Sequence, residues 1–96
     1  MTMTEVLTPP QLEDALKQLP GWSIDDNKLT RTWRFADFKQ AFAFLTRVAD
    51  AAEQQGHHPE IYNVYATVRI QLSTHDADDR ITDKDTALAT AIQKLS

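Results

Sequence analysis

All three histidines of the chain, His57, His58 and His75, fall in one stretch, "QQGHHPEIYNVYATVRIQLSTHD", from Gln54 to Asp76. Imidazole both donates and accepts protons near neutral pH, so such a cluster suits general acid–base chemistry. It is also the commonest ligand for zinc and its neighbours. Spacing weighs against the metal: adjacent histidines usually diverge, and no H-x-x-x-H, H-E-x-x-H or H-x-H pattern is present. The expectation is proton transfer, with no metal site. A surface or packing role is the ordinary fate of one histidine in a small protein. Three in a short window, two of them pinned between Gly56 and Pro59, count against that fate without reversing it.

The elements around the cluster must bring it together. Gly56 is placed to end a long helix in the left-handed conformation, and Pro59 pushes His58 toward an extended backbone, so His57 and His58 sit on a short, stiff loop. That helix opens at Asp37 as cap with Gln40 three residues on, and Phe38, Ala41, Phe42, Leu45, Val48, Ala49 and Ala52 mark its buried stripe, with Phe44 off it. His75 follows a strand whose even residues Val68, Ile70 and Leu72 are apolar, and regular alternation sets it on the face of Arg69, Gln71 and Ser73. A pocket requires the helix end and the strand end to lie close, which a compact sheet-and-helix layer permits.

The rest of the chain supplies that layer. "TPPQLEDALKQLPG" reads as a first helix, capped by Thr8 with Gln11 in capping-box position and stopped at Pro20-Gly21. "WSIDDNKLTRTWRF" reads as a hairpin turning at "DDNK", its alternation broken only by Arg31. "EIYNVYATVRIQLSTH" reads as two more strands meeting around Tyr65 to Thr67, with Val64 grouped with the inward even residues and no Asn-Gly or Asp-Gly at the turn. Thr82 and Asp85 form a T-x-x-D cap, and Leu88, Ala91, Ile92 and Leu95 stripe a last helix. The order α-β-β-α-β-β-α predicts an α+β fold, a four-stranded antiparallel sheet with three helices packed on one face, over residues 1–96 as a single domain.

Composition removes other functions. The chain has 96 residues, 42% hydrophobic and 25% charged, in the ordinary range for a globular protein. It has no cysteine, hence no disulfide framework and no thiolate nucleophile, which fits a reducing cytoplasm. "MTMTEVLTPP" lacks the basic and apolar run of a signal peptide, and no stretch is long and apolar enough to span a bilayer. A net charge of -4 gives no general attraction to phosphate backbones, so nucleic acid is not the expected partner.

The motif E-x-x-x-HHP-x-x-x-NVY, at Glu53, His57-His58-Pro59 and Asn63-Val64-Tyr65, is followed by LSTHD at Leu72 to Asp76. It closely resembles the pterin-4a-carbinolamine dehydratase family, also known as 4a-hydroxytetrahydrobiopterin dehydratase or dimerisation cofactor. Gly21-Trp22, the F-x-D-F-x-x-A-x-x-F run from Phe35 to Phe44 and the T-x-x-D at Thr82 fit the same resemblance. This chain departs from it in the "ADDR" loop, about a residue longer where many relatives have a glycine, and in Ile61, where a bulky aromatic is frequent.

The resemblance implies a lyase that converts 4a-hydroxytetrahydropterin, left by pterin-dependent aromatic amino-acid hydroxylases, to quinonoid dihydropterin and water in tetrahydrobiopterin recycling. It implies a homodimer or homotetramer and no cofactor. His57, His58 and His75 match the catalytic positions, with Glu53, Pro59, Trp22 and Asp76 nearby as candidate substrate contacts. His57 and His75 are taken as the acid–base pair and His58 as a pterin-binding group. Glu53 could orient an imidazole and stabilise its charged form, or be a solvated helix-end carboxylate. Trp22 could wall the flat pterin or lie in the core, and Asp76 could simply cap its loop. Self-association is expected through Phe44, with Ala51 nearby, and through the fourth strand as a sheet edge. The rival reading is a non-catalytic binding, assembly or coactivator-type protein on the same fold, which would be expected to lose one or more of these histidines.

Overall fold

The computed structural model describes residues 5–95, so Met1–Thr4 of the stretch read above for targeting lie outside the described residues. The elements run α1 (Pro9–Lys17), β1 (Ser23–Asp25), β2 (Lys28–Arg34), α2 (Phe38–Gln55), β3 (Glu60–Val64), β4 (Thr67–Leu72), a 3-10 turn (His75–Ala77) and α3 (Asp83–Gln93). All strand pairs are antiparallel, in the order β1-β2-β4-β3. The three helices cover one face, as the apolar patterning predicts. Among the described residues no helix is long and apolar enough to cross a membrane.

Each start and stop has a local cause. Thr8 and Thr82 close complete capping boxes on α1 and α3, and Asp37 accepts from the N–H of Gln40 at 2.8 Å to start α2. In the first hairpin Asp26 and Asn27 both take positive φ, 54 and 61, residue types that tolerate it. The second turn lacks such residues at its centre, and Tyr65 itself is left-handed at φ 49. Asn63 compensates: its side-chain amide donates to the carbonyls of Tyr65 and Thr67 at 3.3 and 2.9 Å, bracing the turn from the strand.

The core lies between sheet and helices. Leu29, Trp33, Val68, Ile70 and Leu72 meet Phe44, Val48, Leu88 and Ile92, all buried, and each large side chain contributes about 2 kcal/mol of transfer free energy. Arg31 breaks the alternation only by residue type. It occupies the core-facing row, where its guanidinium lies 4.9 Å from the Trp33 ring and donates to the Pro20 carbonyl at 3.0 Å. Gly21 takes φ 87, the left-handed region that favours glycine, and a Cβ there would come within 2.9 Å of that guanidinium, which would have to shift.

Four expectations about burial and edges are corrected. Phe44 is fully buried, stacked near Trp33 and Phe35, with Ala51 partly buried against the same core; Phe42 is 53% exposed and Phe38 48%. The apolar arc of α2 is wider than one neighbour can cover. The core takes the flank of Ala41, Phe44, Leu45, Val48 and Ala52 and leaves Phe38, Phe42 and Ala49 outside. Val64 is exposed because the two-residue turn pairs it with Thr67, which reverses odd and even between β3 and β4. The fourth strand is central rather than an edge; β1 and β3 are the edges.

Candidate active site

α2 stops at Gly56, φ 62, and the N–H groups of Gly56 and His57 fold back onto the carbonyls of Glu53 and Ala52 at 3.2 and 3.1 Å. The chain leaves the helix axis there, and Pro59 keeps it extended into β3. From the other side β4 ends at Leu72, and Ser73 and Thr74 lead into the turn that begins at His75. The N-terminus of α3 is the third element to reach this end of the sheet.

Asp85, the third residue of α3, completes the capping box by accepting the N–H of Thr82 at 2.8 Å on Oδ2. The same carboxylate accepts the hydroxyl of Thr74 at 2.9 Å, and its Oδ1 lies 2.5 Å from Nε2 of His57. Thr74 has one hydroxyl proton and gives it to Asp85. The 2.6 Å contact between the hydroxyls of Thr74 and Thr82 therefore runs from Thr82 to Thr74, leaving the Thr82 oxygen to accept the N–H of Lys84 at 3.2 Å. Asp85 and Thr82 are fully buried, and a buried carboxylate needs such a set of donors. Since a carboxylate only accepts, Nε2 of His57 carries its hydrogen toward Asp85, and Nδ1 is the nitrogen left for another partner.

The other two histidines are held more openly. His58 Nε2 lies 3.4 Å from Glu53, both exposed. His75 Nδ1 lies 3.0 Å from Oδ1 of Asp79. That hydrogen bond, with the charges of Asp79 and Asp76 adding to it, holds the His75 imidazole above the ordinary histidine range. A cavity of about 240 Å³ is lined by all three histidines with Gly56, Ser73, Thr74, Asp76 and Lys84. It shares His58, Ser73 and His75 with a wider recess of about 570 Å³ that includes Lys28 and Glu60. Lys28 and Glu60 pair at 2.7 Å across β4, and the Glu60 carboxylate raises the Lys28 pKa. Among the described residues no group of three or more His, Asp or Glu side chains is arranged to hold a metal ion.

The structure thus brings together His57, His58, His75 and Asp76. Glu53 reaches the site through His58, and Pro59 through the backbone it imposes; neither lines the two cavities. Trp22 is not brought to the histidines: it is buried edge-on against Trp33, ring centroids 5.7 Å apart, the core role weighed for it in the sequence. Missing from the sequence reading are Asp85 and Thr74 as the anchor of His57, Asp79 as the partner of His75, and Lys28 and Lys84 on the walls. The one available signal was the aspartate at N3 of the last capping box, where the usual residue is Glu or Gln.

Comparison with known proteins places the chain in a family. The model of the Pterin 4 alpha carbinolamine dehydratase family matches residues 5–95. A protein of Prochlorococcus marinus strain MIT 9303, provisionally named a pterin-4-alpha-carbinolamine dehydratase, is 52% identical over 99% of this chain and 97% of its own length. An Opitutus terrae protein of the same provisional name is 40% identical over 98% of this chain and 97% of its own. A solved structure described as a transcriptional coactivator/pterin dehydratase from Brucella melitensis superposes with a TM-score of 0.89 at 34% identity, over 95% of this chain and 98% of that one. A pterin dehydratase-like protein identified as a RuBisCO assembly factor in the alpha-carboxysome shares the fold at 24% identity and a TM-score of 0.62, over 77% of this chain and 84% of that one. By sequence and by fold, the chain belongs to the pterin 4 alpha carbinolamine dehydratase family.

Proposed function

We propose that this chain, as one domain, dehydrates a 4a-hydroxytetrahydropterin to quinonoid dihydropterin and water. The observation that carries the reading is the convergence of three histidines on one cavity, one of them fixed by a buried carboxylate. In the reaction the C4a–O bond breaks as a proton is delivered to the departing hydroxyl, which leaves as water. The N5 proton departs and the C4a=N5 double bond forms, so no oxidant or reductant is needed. Imidazole serves at either proton. His57 and His75 are the acid–base pair, and His58, with its freer ring, binds and polarises the pterin. Family membership supports the same chemistry. The substrate would come from a pterin-dependent hydroxylase in the same cytoplasmic recycling pathway.

The oligomer belongs to the same reading. Phe38 and Phe42 pack ring against ring on the outer face of α2, centroids 5.6 Å apart, and the β3 edge carries exposed Ile61, Tyr62 and Val64. An edge strand with unpaired backbone groups beside exposed apolar side chains fits a second copy of this chain, as a homodimer or homotetramer. The decisive test is quinonoid dihydropterin formation from freshly generated 4a-hydroxytetrahydropterin, with and without protein. A rate above the spontaneous one supports the dehydratase. A rate equal to it leaves the non-catalytic binding or coactivator-type role, which the Brucella relative's description also names.

A further inference from the structure

The loop that follows β4 is closed on itself: Thr74 N–H donates to the Arg80 carbonyl at 2.9 Å, Ala77 N–H to Thr74 at 3.0 Å and Arg80 N–H to Ala77 at 3.2 Å. His75 stands at one end of this closed turn. Near the other end Asp78 and Asp79 both have φ 58, the left-handed region where glycine is most at ease. A glycine at 79 would relax the backbone and remove a carboxylate. The aspartate present there spends its carboxylate on Nδ1 of His75, 3.0 Å away. A carboxylate only accepts, so Nδ1 keeps its hydrogen whatever the charge of the ring, and Nε2 is the nitrogen free to exchange a proton.

We propose that Asp79 is a positioning residue for His75, holding Nδ1 so that Nε2 is the nitrogen that serves the pterin at the mouth of the cavity. The inference rests on the dehydratase reading for its effect on activity, and on the ring alone for its effect on titration. The electrostatics run the same way, since Asp79 and then Asp76 favour the charged ring. Other charged groups face His75 from every side of the recess. Lys28 of β2 and Glu60 of β3 largely cancel as a pair, while Asp26 of the first turn and Asp78 add to the acidic field; His58 stands at the end of α2, and Lys84 of α3 opposes from the inner cavity. A ring whose charged form is favoured is suited to give its proton to the leaving hydroxyl.

The test compares the wild type with Asp79→Asn, which tolerates a left-handed backbone, and Asp79→Gly, which prefers it; both remove the charge without forcing the turn. NMR titration should show the His75 midpoint lowered in both variants, as expected when the carboxylate of an exposed ion pair is removed. With 4a-hydroxytetrahydropterin as substrate, the alkaline fall of kcat should move to lower pH in step, with KM changed less than kcat. An unchanged His75 midpoint overturns the proposal, as does a shifted midpoint with an unmoved kcat profile. A wild type that does not accelerate dehydration overturns the catalytic role of Asp79 together with the dehydratase reading, and the titration then still decides whether the pair exists.

Discussion

The side chain of His57 is 12% exposed and faces a carboxylate with no exposure at all, whereas that of His75 is 92% exposed beside a carboxylate at 63%. Both rings are oriented by an aspartate, yet the two pairs rest on different physics. Asp85 is held by the cap of α3 and by Thr74, so the orientation of His57 is tied to the helix that packs the core. Asp79 is held by a closed surface turn, so His75 is oriented locally and stays open to solvent. One end of the cavity is set by folding, and the other by a charge that substrate and salt can reach.

The largest loss should follow the removal of Asp85. Asp85→Ala strands the N–H of Thr82, the Thr74 hydroxyl and a half-buried imidazole together, and should cost about 3 kcal/mol or more in urea unfolding. Asp79→Asn should leave the urea midpoint nearly unchanged. Equal midpoints for the two variants would mean that the buried cluster contributes nothing to the fold. Next in size are the rings themselves: His57→Ala and His75→Ala should each lower the dehydration rate by about a hundredfold or more, the usual contribution of a general acid or base. His58→Ala should raise KM more than it lowers kcat, and an effect confined to kcat would move His58 into the acid–base pair.

How much of this was legible differs between backbone and site. The order of elements was, because Thr8, Asp37 and Thr82 announce helix starts, Gly56 announces a stop, and Val68, Ile70 and Leu72 alternate. Which side of an over-wide apolar arc faces inward was not, since Phe42 and Phe44 are equally apolar and only the packing of the sheet and α3 against α2 chooses between them. The strand order was equally hidden: hairpins are local signals, and the pairing of β2 with β4 is not. At the site, the three histidines stood out by type and spacing, while Asp85 read as a cap because its second use depends on the end of α2 meeting the start of α3. Asp79 lay in a polar loop whose closure between Thr74 and Arg80 no short motif reports.

Two smaller effects sharpen the contrast between the covered and open faces. If the proposed oligomer forms through the outer face of α2, Phe42→Asp should shift sedimentation toward smaller species without unfolding the chain, since Phe42 is outside the core; an unchanged distribution would remove Phe42 from any contact between copies. The smallest effect is electrostatic. The pKa of His75 is raised in the folded protein, so its pair with Asp79 stabilises fully below the unfolded histidine pKa, about 6.5, and ceases to as pH rises through the higher folded value. The difference in melting temperature between wild type and Asp79→Asn should be small at pH 6 and vanish by pH 9; a gap that widens with pH has the wrong sign for this pair.

If the cavity between α2, β4 and α3 is where water is lost, the double substitution His57→Ala/His75→Ala should abolish that loss while leaving the fold intact. Its circular dichroism spectrum should match the parent, and the formation of quinonoid dihydropterin from freshly generated 4a-hydroxytetrahydropterin should be followed beside a control without protein. The wild type should exceed the control and the double variant should fall to it. A folded double variant that dehydrates the substrate as fast as the wild type would contradict the account and place the reaction away from these histidines.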